Sequence, residues 1–371
     1  MIAFTTVIGV HVLAGVFATS GTGGAAAMSL MVVTRKAFFF LLALVAVQAQ
    51  LARPDGVLSF WRRRIPVVAV PYALWSLVYA WPVLKTSPSL AAALEHCAFL
   101  LVSGKAMYHL YFLLVSMQVY LLLPVLLAAV RRLGRWQLPL LAVSLALQVG
   151  QHAFIEYGTA TTGLAGWYRA HCGELAVTYQ FWVLLGLVAG LHLARLQRLV
   201  DAARGWPLLV MLGVGVLSIL HVQSAMIGGE NPWKASSTFS PYLVPWYVAA
   251  IVGTYAAGSL YARWSARTGR RLRVVGAGAQ ASFGVYLAHP LLLPPIVSAT
   301  DRLLPGLPLA VHVVLATLLV AAASMLAVGI LRWTPLSRPL CGRTWKRPDG
   351  LLRVVRARTT RAVRTPEPTT A

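Results

Sequence analysis

The sequence is poor in acidic residues and in charge as a whole. Only 9 of its 371 residues are Asp or Glu, and charged residues make up 11% of the chain. Soluble domains carry roughly a quarter charged residues, so this composition excludes an ordinary soluble protein. The scarcity of carboxylates also disfavours an ion-coupled transporter or a proton pump, because these proteins need buried acidic relays.

Cysteine is equally scarce. The chain holds three cysteines, Cys97, Cys172 and Cys341, which are too few for a disulfide framework. Their spacing is not that of metal ligands, so we predict no metal site. A single bond between Cys97 and Cys172 stays open beside the commoner arrangement of two buried thiols. We find no internal repeat, which disfavours a transporter built from matched halves.

Apolar residues, by contrast, are abundant. They make up 58% of the chain, and the mean hydropathy is +0.73. A spanning helix needs about 20 mostly apolar residues. This rule predicts an all-α polytopic membrane protein with about ten transmembrane helices, near residues 2–18, 37–52, 65–84, 106–130, 137–155, 179–197, 206–226, 241–262, 280–299 and 308–331. The shorter segment 88–103 is predicted to be an interfacial or re-entrant helix.

The basic residues give the chain a net charge of +23. They stand in short blocks, mostly in the loops after the even-numbered spans, which predicts that these loops and both termini are cytoplasmic. Such a distribution is not that of a nucleic-acid-binding surface. The chain is predicted to divide into a transmembrane domain, residues 1–333, and a basic tail, residues 334–371. The tail is either disordered or lies on anionic headgroups.

Three histidines in apolar segments are candidates for chemistry. His11 lies in the middle of the first apolar run, His109 lies between Tyr108 and Tyr111, and His289 directly precedes Pro290. An ionisable side chain is expensive in lipid and persists where it pairs, lines a cavity or reacts. A lone histidine can equally be a contact between helices. Pro290 is expected to free a backbone carbonyl, which is tolerated in a membrane where either the protein or a wet cavity satisfies it.

Two basic clusters also have two interpretations each. Arg62, Arg63 and Arg64 stand at the inner boundary of the third span, where they are either a topology signal or a phosphate clamp. Arg35 and Lys36 are predicted on the outer side, against the charge rule. They either hold an anionic or hydroxyl-rich substrate, or they snorkel to the membrane interface.

Four segments together resemble one family. "FWRRRIPVVAVPYALWS", "YHLYFLLVSMQVYLLLP" and "SFGVYLAHPLLL" are similar, in order and spacing, to signature segments of the integral-membrane acyltransferase-3 family, and "TVIGVHVL" resembles its first-span histidine segment. The resemblance covers roughly residues 1–332 and is strongest to O-acetyltransferases of surface polysaccharides. It implies a plasma-membrane enzyme that moves an acyl group, usually acetyl, from acyl-CoA to a hydroxyl of a sugar, polysaccharide or glycolipid. Acyl-CoA is then a co-substrate, and no cofactor is bound permanently.

The resemblance also implies roles for particular residues. The catalytic candidates are His11, His109 and His289. The candidates for binding the donor are Arg62, Arg63 and Arg64. The candidates for binding the acceptor substrate are Arg35, Tyr108, Tyr111, Ser282 and Tyr286. A histidine pKa of about 6.5 suits a base that takes a proton from an alcohol near neutral pH.

The sequence departs from the family pattern at three places. The arginine common three residues after Arg64 is Val67 here, and a Ser-Gly pair is replaced by Ala43 and Leu44. The basic residue expected eleven positions before His11 would precede residue 1, so we expect either that the natural start lies upstream or that the protein is truncated. The alternatives are a transporter or flippase for a lipid-linked sugar and a catalytically inactive relative of the family.

Overall fold

The computed structural model describes residues 2–15, 21–54, 56–270 and 272–342, and these contain helices and no strand. The prediction of an all-α protein is therefore confirmed. The helices are α1 Ile2–Gly15, α2 Gly21–Met31, α3 Thr34–Ala52, α4 Val57–Thr86, α5 Leu90–Ser103, α6 Tyr111–Leu133, α7 Gln137–Tyr157, α8 Gly163–His171, α9 Gln180–Leu191, α10 Leu193–Ala202, α11 Trp206–Ile227, α12 Pro232–Ala235, α13 Val244–Thr268, α14 Arg273–Leu303, α15 Leu309–Leu331 and α16 Ser337–Cys341.

The helices are those of a polytopic membrane protein. Seven helical stretches of the described chain are long and apolar enough to cross a bilayer, and an eighth is possible if a pair bent by 67°, Gly163–Glu174 with Ala176–Leu191, is one broken span. The predicted count of ten is not confirmed. One reason is α1, whose 14 residues are fewer than the roughly 20 that a span needs. The predicted cytoplasmic location of both termini stays a prediction.

One of the seven stretches, Tyr111–Tyr157, is 47 residues long and folds back on itself. The turn is at Gly134, whose φ of +47° is a value that glycine adopts readily. Two hydrogen bonds show that the chain reverses, because they join residues 118 and 148 to the same short segment, residues 176–178. Gln118 of α6 accepts from the Ala176 amide, and Gln148 of α7 donates to the Thr178 carbonyl, both at 2.9 Å. The stretch therefore contains two antiparallel helices.

Close packing of α3 on α9 fixes the position of α3. A Cβ atom added at Gly186 of α9 would lie 2.3 Å from the Phe40 carbonyl oxygen of α3, so only glycine fits at this contact. One turn further, Gly190 lies against Val47, and the Gln48 amide donates to the Gly190 carbonyl at 2.5 Å. Small residues that let two backbones approach closely are typical of helix pairs in membranes.

The buried apolar residues form two large clusters. The α3 core joins α2, α3, α6, α9, α11 and α13, and the α14 core joins α1, α4, α14, α15 and the start of α6. Phe112, at the start of α6, packs against both cores. The N-terminal end of α6 thus lies where the two cores meet, and the candidate site lies at the same place.

The region after Trp333 begins with ordered structure. Helix α16 packs against α4, where the Trp75 indole donates to the Leu340 carbonyl at 2.9 Å. Cys341 is buried there, and all three cysteines are free thiols. The rest of the predicted tail, residues 343–371, lies outside the described residues, and the domain boundary at 333 stays a prediction.

Candidate active site

The three histidines predicted from the sequence come together in space. His11 of α1 stacks on His289 of α14 with ring centroids 5.5 Å apart, and His109, just before α6, lies 5.3 Å from His289. His109 and His289 are buried, while His11 is partly buried. Residues this far apart in the chain meet only if the fold brings them together. We call this group the histidine cluster.

His289 has a defined tautomer because of the proline that follows it. In an α-helix the amide of residue 290 would donate to the carbonyl of residue 286, but Pro290 has no N–H. The Nδ1 atom of His289 lies 2.8 Å from that freed Tyr286 carbonyl. A carbonyl can only accept, so Nδ1 carries the proton and Nε2 carries the lone pair. Nε2 is buried and has no hydrogen-bond partner in the described chain, which leaves it available to accept a proton.

His109 is enclosed by tyrosines. Its ring lies 5.0 Å from the Tyr286 ring and 5.6 Å from the Tyr79 ring. The Tyr286 hydroxyl donates to the His109 carbonyl, and the Tyr79 hydroxyl donates to the Leu287 carbonyl at 2.7 Å. Two helices, α4 and α14, thereby fix the backbone and the ring of His109.

Tyr108 covers His11 on the other side. Their ring centroids are 4.2 Å apart, and Tyr108 is 46% exposed, so this edge of the histidine cluster is open. Burial of the hydroxyl raises the pKa of Tyr108 to about 12. Its hydroxyl therefore stays protonated, and remains a hydrogen-bond donor, throughout the physiological range.

Arg35 lies beside the histidine cluster, on α3. Its guanidinium carbon is 5.9 Å from the centroid of the Tyr111 ring, and its charge acts electrostatically on His11. The prediction that Arg35 and Lys36 precede a span is wrong, while their location on the outer side stays a prediction. Both residues lie inside the apolar helical stretch Gly21–Ala52, and Lys36 is fully buried. The Gly- and Ala-rich segment before them forms α2, which belongs with α3 to this one apolar helical stretch.

A cleft of about 290 Å³ opens on the same helix bundle, away from the histidine cluster. Three arginines line it, Arg53 at the end of α3 and Arg63 and Arg64 on α4. Arg64 interacts with the Tyr120 hydroxyl, another residue of the lining. Val67, where the family commonly has arginine, lines the cleft as well. Arg62 is exposed and is not part of the lining. We call this the basic cleft.

Comparison with known proteins decides the family. The chain matches the family model described as an acyltransferase domain, of the acyltransferase-3 type, over residues 1–331. The chain belongs to the acyltransferase-3 family. The resemblance predicted from four sequence segments is thus confirmed. No curated protein and no solved structure gave a match.

As a member of the acyltransferase-3 family, the protein is a multi-pass membrane enzyme that transfers acyl groups other than aminoacyl groups. The match covers nearly the whole described chain, from α1 to the end of α15. It therefore includes the histidine cluster and the basic cleft, whose roles in this acyltransferase stay predictions.

The acyltransferase brings together most of the residues predicted for its site, with two exceptions, Arg62 and Ser282. Tyr111 and Tyr286 adjoin Arg35 and His109, respectively. Ser282 lies about 10 Å along α14 from His289, and its hydroxyl donates to the Ala279 carbonyl at 3.0 Å. Its distance from the histidine cluster follows from its place two turns earlier on the helix. Its predicted role in binding substrate is untested.

Three residues that lie at these sites of the acyltransferase were not predicted from the sequence. Tyr79 contacts His109, and Arg53 and Tyr120 line the basic cleft. A signal for Tyr79 does exist, because Tyr72, Trp75 and Tyr79 recur at one helical face of α4 and all three are buried. Arg53 and Tyr120 carry no such signal, since their approach depends on the packing of α3, α4 and α6.

Proposed function

We propose that this acyltransferase moves an acyl group, acetyl in the simplest case, from acyl-CoA to a hydroxyl of a sugar, polysaccharide or glycolipid at the plasma membrane. The observation that carries the proposal is the convergence of His11, His109 and His289 at the junction of the two cores. Transfer to an alcohol needs a base, and three neighbouring imidazoles next to an open edge supply one.

The proposed reaction is direct transfer. An imidazole of the histidine cluster takes the proton of the acceptor hydroxyl while its oxygen attacks the thioester carbonyl carbon. The tetrahedral intermediate then collapses, the C–S bond breaks, and the departing sulfur takes the proton back from the imidazolium. The Tyr108 hydroxyl, which stays protonated, is the donor that stabilises the developing oxyanion.

His11 is the proposed base, and His289 is the residue that stacks on it. His11 is partly exposed beside Tyr108, so an acceptor can reach it. His289 has its Nε2 lone pair free inside the protein and stacks on His11. His289 is therefore proposed to hold the His11 ring in place during transfer.

The basic cleft is the proposed site for the phosphates of acyl-CoA. Guanidinium groups bind phosphate in a planar, multi-donor way, and Arg53, Arg63 and Arg64 line the same cleft. Tyr120, in the cleft, and Tyr111, near Arg35, lie about 14 Å apart along α6. The extended pantetheine arm of coenzyme A is longer than this separation, which supports a thioester that reaches the histidine cluster.

Two alternative functions are a flippase and a catalytically inactive relative. A flippase for a lipid-linked sugar would need no base, and the histidine cluster would then be a packing feature. An inactive relative is favoured by Val67, which places an apolar side chain in the cleft where the family commonly has arginine. The three arginines that remain in the lining favour the active enzyme.

The test is transfer of label from acetyl-CoA to a hydroxyl-rich acceptor extract, in membranes that hold the native chain, His11→Ala or His96→Ala. His96 is an exposed histidine of α5 outside the histidine cluster, so it controls for loss of an imidazole as such. We expect His11→Ala to lower the transfer rate by about 10²–10⁴-fold, the usual contribution of a general base. His96→Ala should transfer label like the native chain.

A native chain that transfers no label to any acceptor would favour the flippase or the inactive relative. Transfer by His11→Ala at the native rate, with equal amounts of protein in the membrane, would remove His11 from the reaction. Transfer lost equally in His96→Ala would mean that the assay reports membrane insertion and not chemistry.

A further inference from the structure

A second polar group lies beside the histidine cluster, and the proposed reaction does not use it. Lys36, in the first turn of α3, is among the largest fully buried side chains of the protein, with 0% exposure. Its Nζ atom has no hydrogen-bond partner in the described part of the chain. An ammonium group taken out of water without a partner is costly, so a lysine at this place needs an explanation.

Three aromatic rings surround the ammonium group. The Nζ atom lies 4.7 Å from the ring centroid of Phe239, 5.2 Å from that of Tyr179 and 5.8 Å from that of Tyr247. The rings come from three different parts of the chain, and we call them the lysine cage. Cation–π attraction offsets part of the cost of burial. It leaves the positive charge itself without a counter-ion.

No carboxylate of the described residues lies within salt-bridge distance of Lys36. The two acidic residues of this region are engaged elsewhere. Glu156 accepts from the Ser237 hydroxyl at 2.6 Å, and Glu174 pairs with Lys105 at 3.3 Å. The groups that act on Lys36 include the positive charge of Arg35, and Lys36 in turn acts on the buried His152. The described residues therefore make this region electropositive and place no carboxylate against Lys36.

The lysine cage and the histidine cluster share a boundary. Arg35 adjoins Lys36 in the chain and acts electrostatically both on His11 and on two residues of the cage, Tyr179 and Tyr247. An anion held by both basic side chains would thus lie next to the proposed base. The basic cleft is a different place, because Ala49 of its lining lies about 20 Å from Lys36 along α3.

We propose that Lys36 and Arg35 bind an oxyanion, a carboxylate or a phosphate, carried by the acceptor substrate, so that the preferred acceptor is an acidic sugar or a sugar phosphate. The identification of the anion as part of an acceptor rests on the proposed function. Phe239 is the ring of the cage that lies on a turn, residues 236–240, and not on a helix.

The test measures binding without turnover. The full chain is purified in detergent, and its thermal unfolding midpoint is followed against glucuronate, glucose 1-phosphate and glucose. The first two probes carry a carboxylate and a phosphate, and glucose is the neutral reference. The variants are Lys36→Met, Lys36→Arg and Lys105→Met. Lys105 is a partly exposed lysine paired with Glu174, so it is the matched control.

We expect at least one of the two acidic probes to stabilise the native chain at concentrations about tenfold or more below those of glucose, because a charge-assisted hydrogen bond contributes that much. Lys36→Met should lose this preference, while Lys36→Arg and Lys105→Met should keep it. Stabilisation by glucuronate alone identifies a carboxylate, and stabilisation by glucose 1-phosphate alone identifies a phosphate. In the absence of any probe, Lys36→Met should unfold at a higher temperature than the native chain.

Equal stabilisation by all three probes, or by none, overturns the inference from the native chain alone, whether or not Lys36→Met folds. An acidic preference that survives in Lys36→Met also overturns it. The transfer assay separates this inference from the proposed function. Transfer without an acidic preference rejects the anion site and keeps the enzyme. An acidic preference without any transfer keeps the anion site and rejects the enzyme's proposed reaction.

Discussion

The histidine cluster and the lysine cage lie side by side in one apolar interior, yet they satisfy their polar groups differently. His289 donates to a backbone carbonyl that Pro290 has freed, so the helix itself supplies the partner. Lys36 has only the faces of three aromatic rings. A neutral imidazole is compatible with a buried site as it stands. A buried ammonium is not, and its environment is complete only when an anion is present.

The difference separates a site arranged for reaction from a site arranged for recognition. Groups that move a proton must be held in a fixed orientation before substrate binds, which is the condition of His289 and of the His109 backbone. Groups that recognise a charge gain most when they are desolvated and unpaired beforehand. The arrangement around Lys36 has this second character.

The strongest way to test the comparison is to remove His289 itself. His289→Ala deletes a buried ring that stacks on His11 and adjoins His109. We expect kcat for acyl transfer to fall by about 10²–10⁴-fold, while the acidic-probe preference of the protein persists. The value of kcat comes from steady-state transfer at saturating acetyl-CoA, and the preference comes from thermal unfolding. A loss of probe preference together with kcat would show that the two groups are one site.

The next largest effect is expected at the packing of α3 on α9. Gly186→Ala places a Cβ atom against the Phe40 carbonyl, and overpacking of this kind costs up to about 3 kcal/mol. Phe40 lies about one turn from Lys36, so we expect lower stability together with a weaker acidic-probe preference. Unfolding in detergent measures both. Gly150→Ala is the control, since a Cβ atom added there meets nothing within 4 Å. An unchanged unfolding midpoint in Gly186→Ala would contradict the close contact.

The smallest effect is expected at Pro290. Pro290→Ala restores an amide that can donate to the Tyr286 carbonyl and so competes with Nδ1 of His289. The tautomer of His289 is then no longer fixed, and we expect kcat to fall by about tenfold, a change of about 1.4 kcal/mol in the barrier. The control is Pro294→Ala, one turn further along α14. Equal rates in Pro290→Ala and the native chain would mean that the hydrogen bond does not orient His289.

Much of this site can be predicted from the sequence, because ionisable residues are costly and therefore rare in apolar membrane segments. His11, His109 and His289 stand in apolar segments, and Pro290 predicts a free carbonyl whose acceptor role the structure confirms. The family was also recognisable from short segments. The apolar runs predict the helices well, but their number does not give the number of membrane passes, because helix bends and chain reversals are tertiary features.

The burial of Lys36 could not be predicted. The residues before it, Gly21 to Ala27, are small and have the composition of a loop, so the sequence predicts that Arg35 and Lys36 precede a span. Their helix forms because small residues pack closely on α1 and α11, a contact that local sequence does not reveal. The lysine cage depends likewise on rings from residues 179, 239 and 247, which no pattern in the sequence connects.

The hydrogen bond of His289 to the carbonyl that Pro290 frees affects how the histidine cluster tolerates mutation. In many enzymes a carboxylate orients the catalytic histidine, and any loss of that side chain disables the site. Here the orienting group is a peptide carbonyl, which no substitution at Tyr286 can delete. Only a replacement that returns an amide hydrogen to position 290 can engage it. The hydrogen bond that orients the imidazole therefore withstands the loss of the Tyr286 side chain, and a competing donor can enter only at position 290.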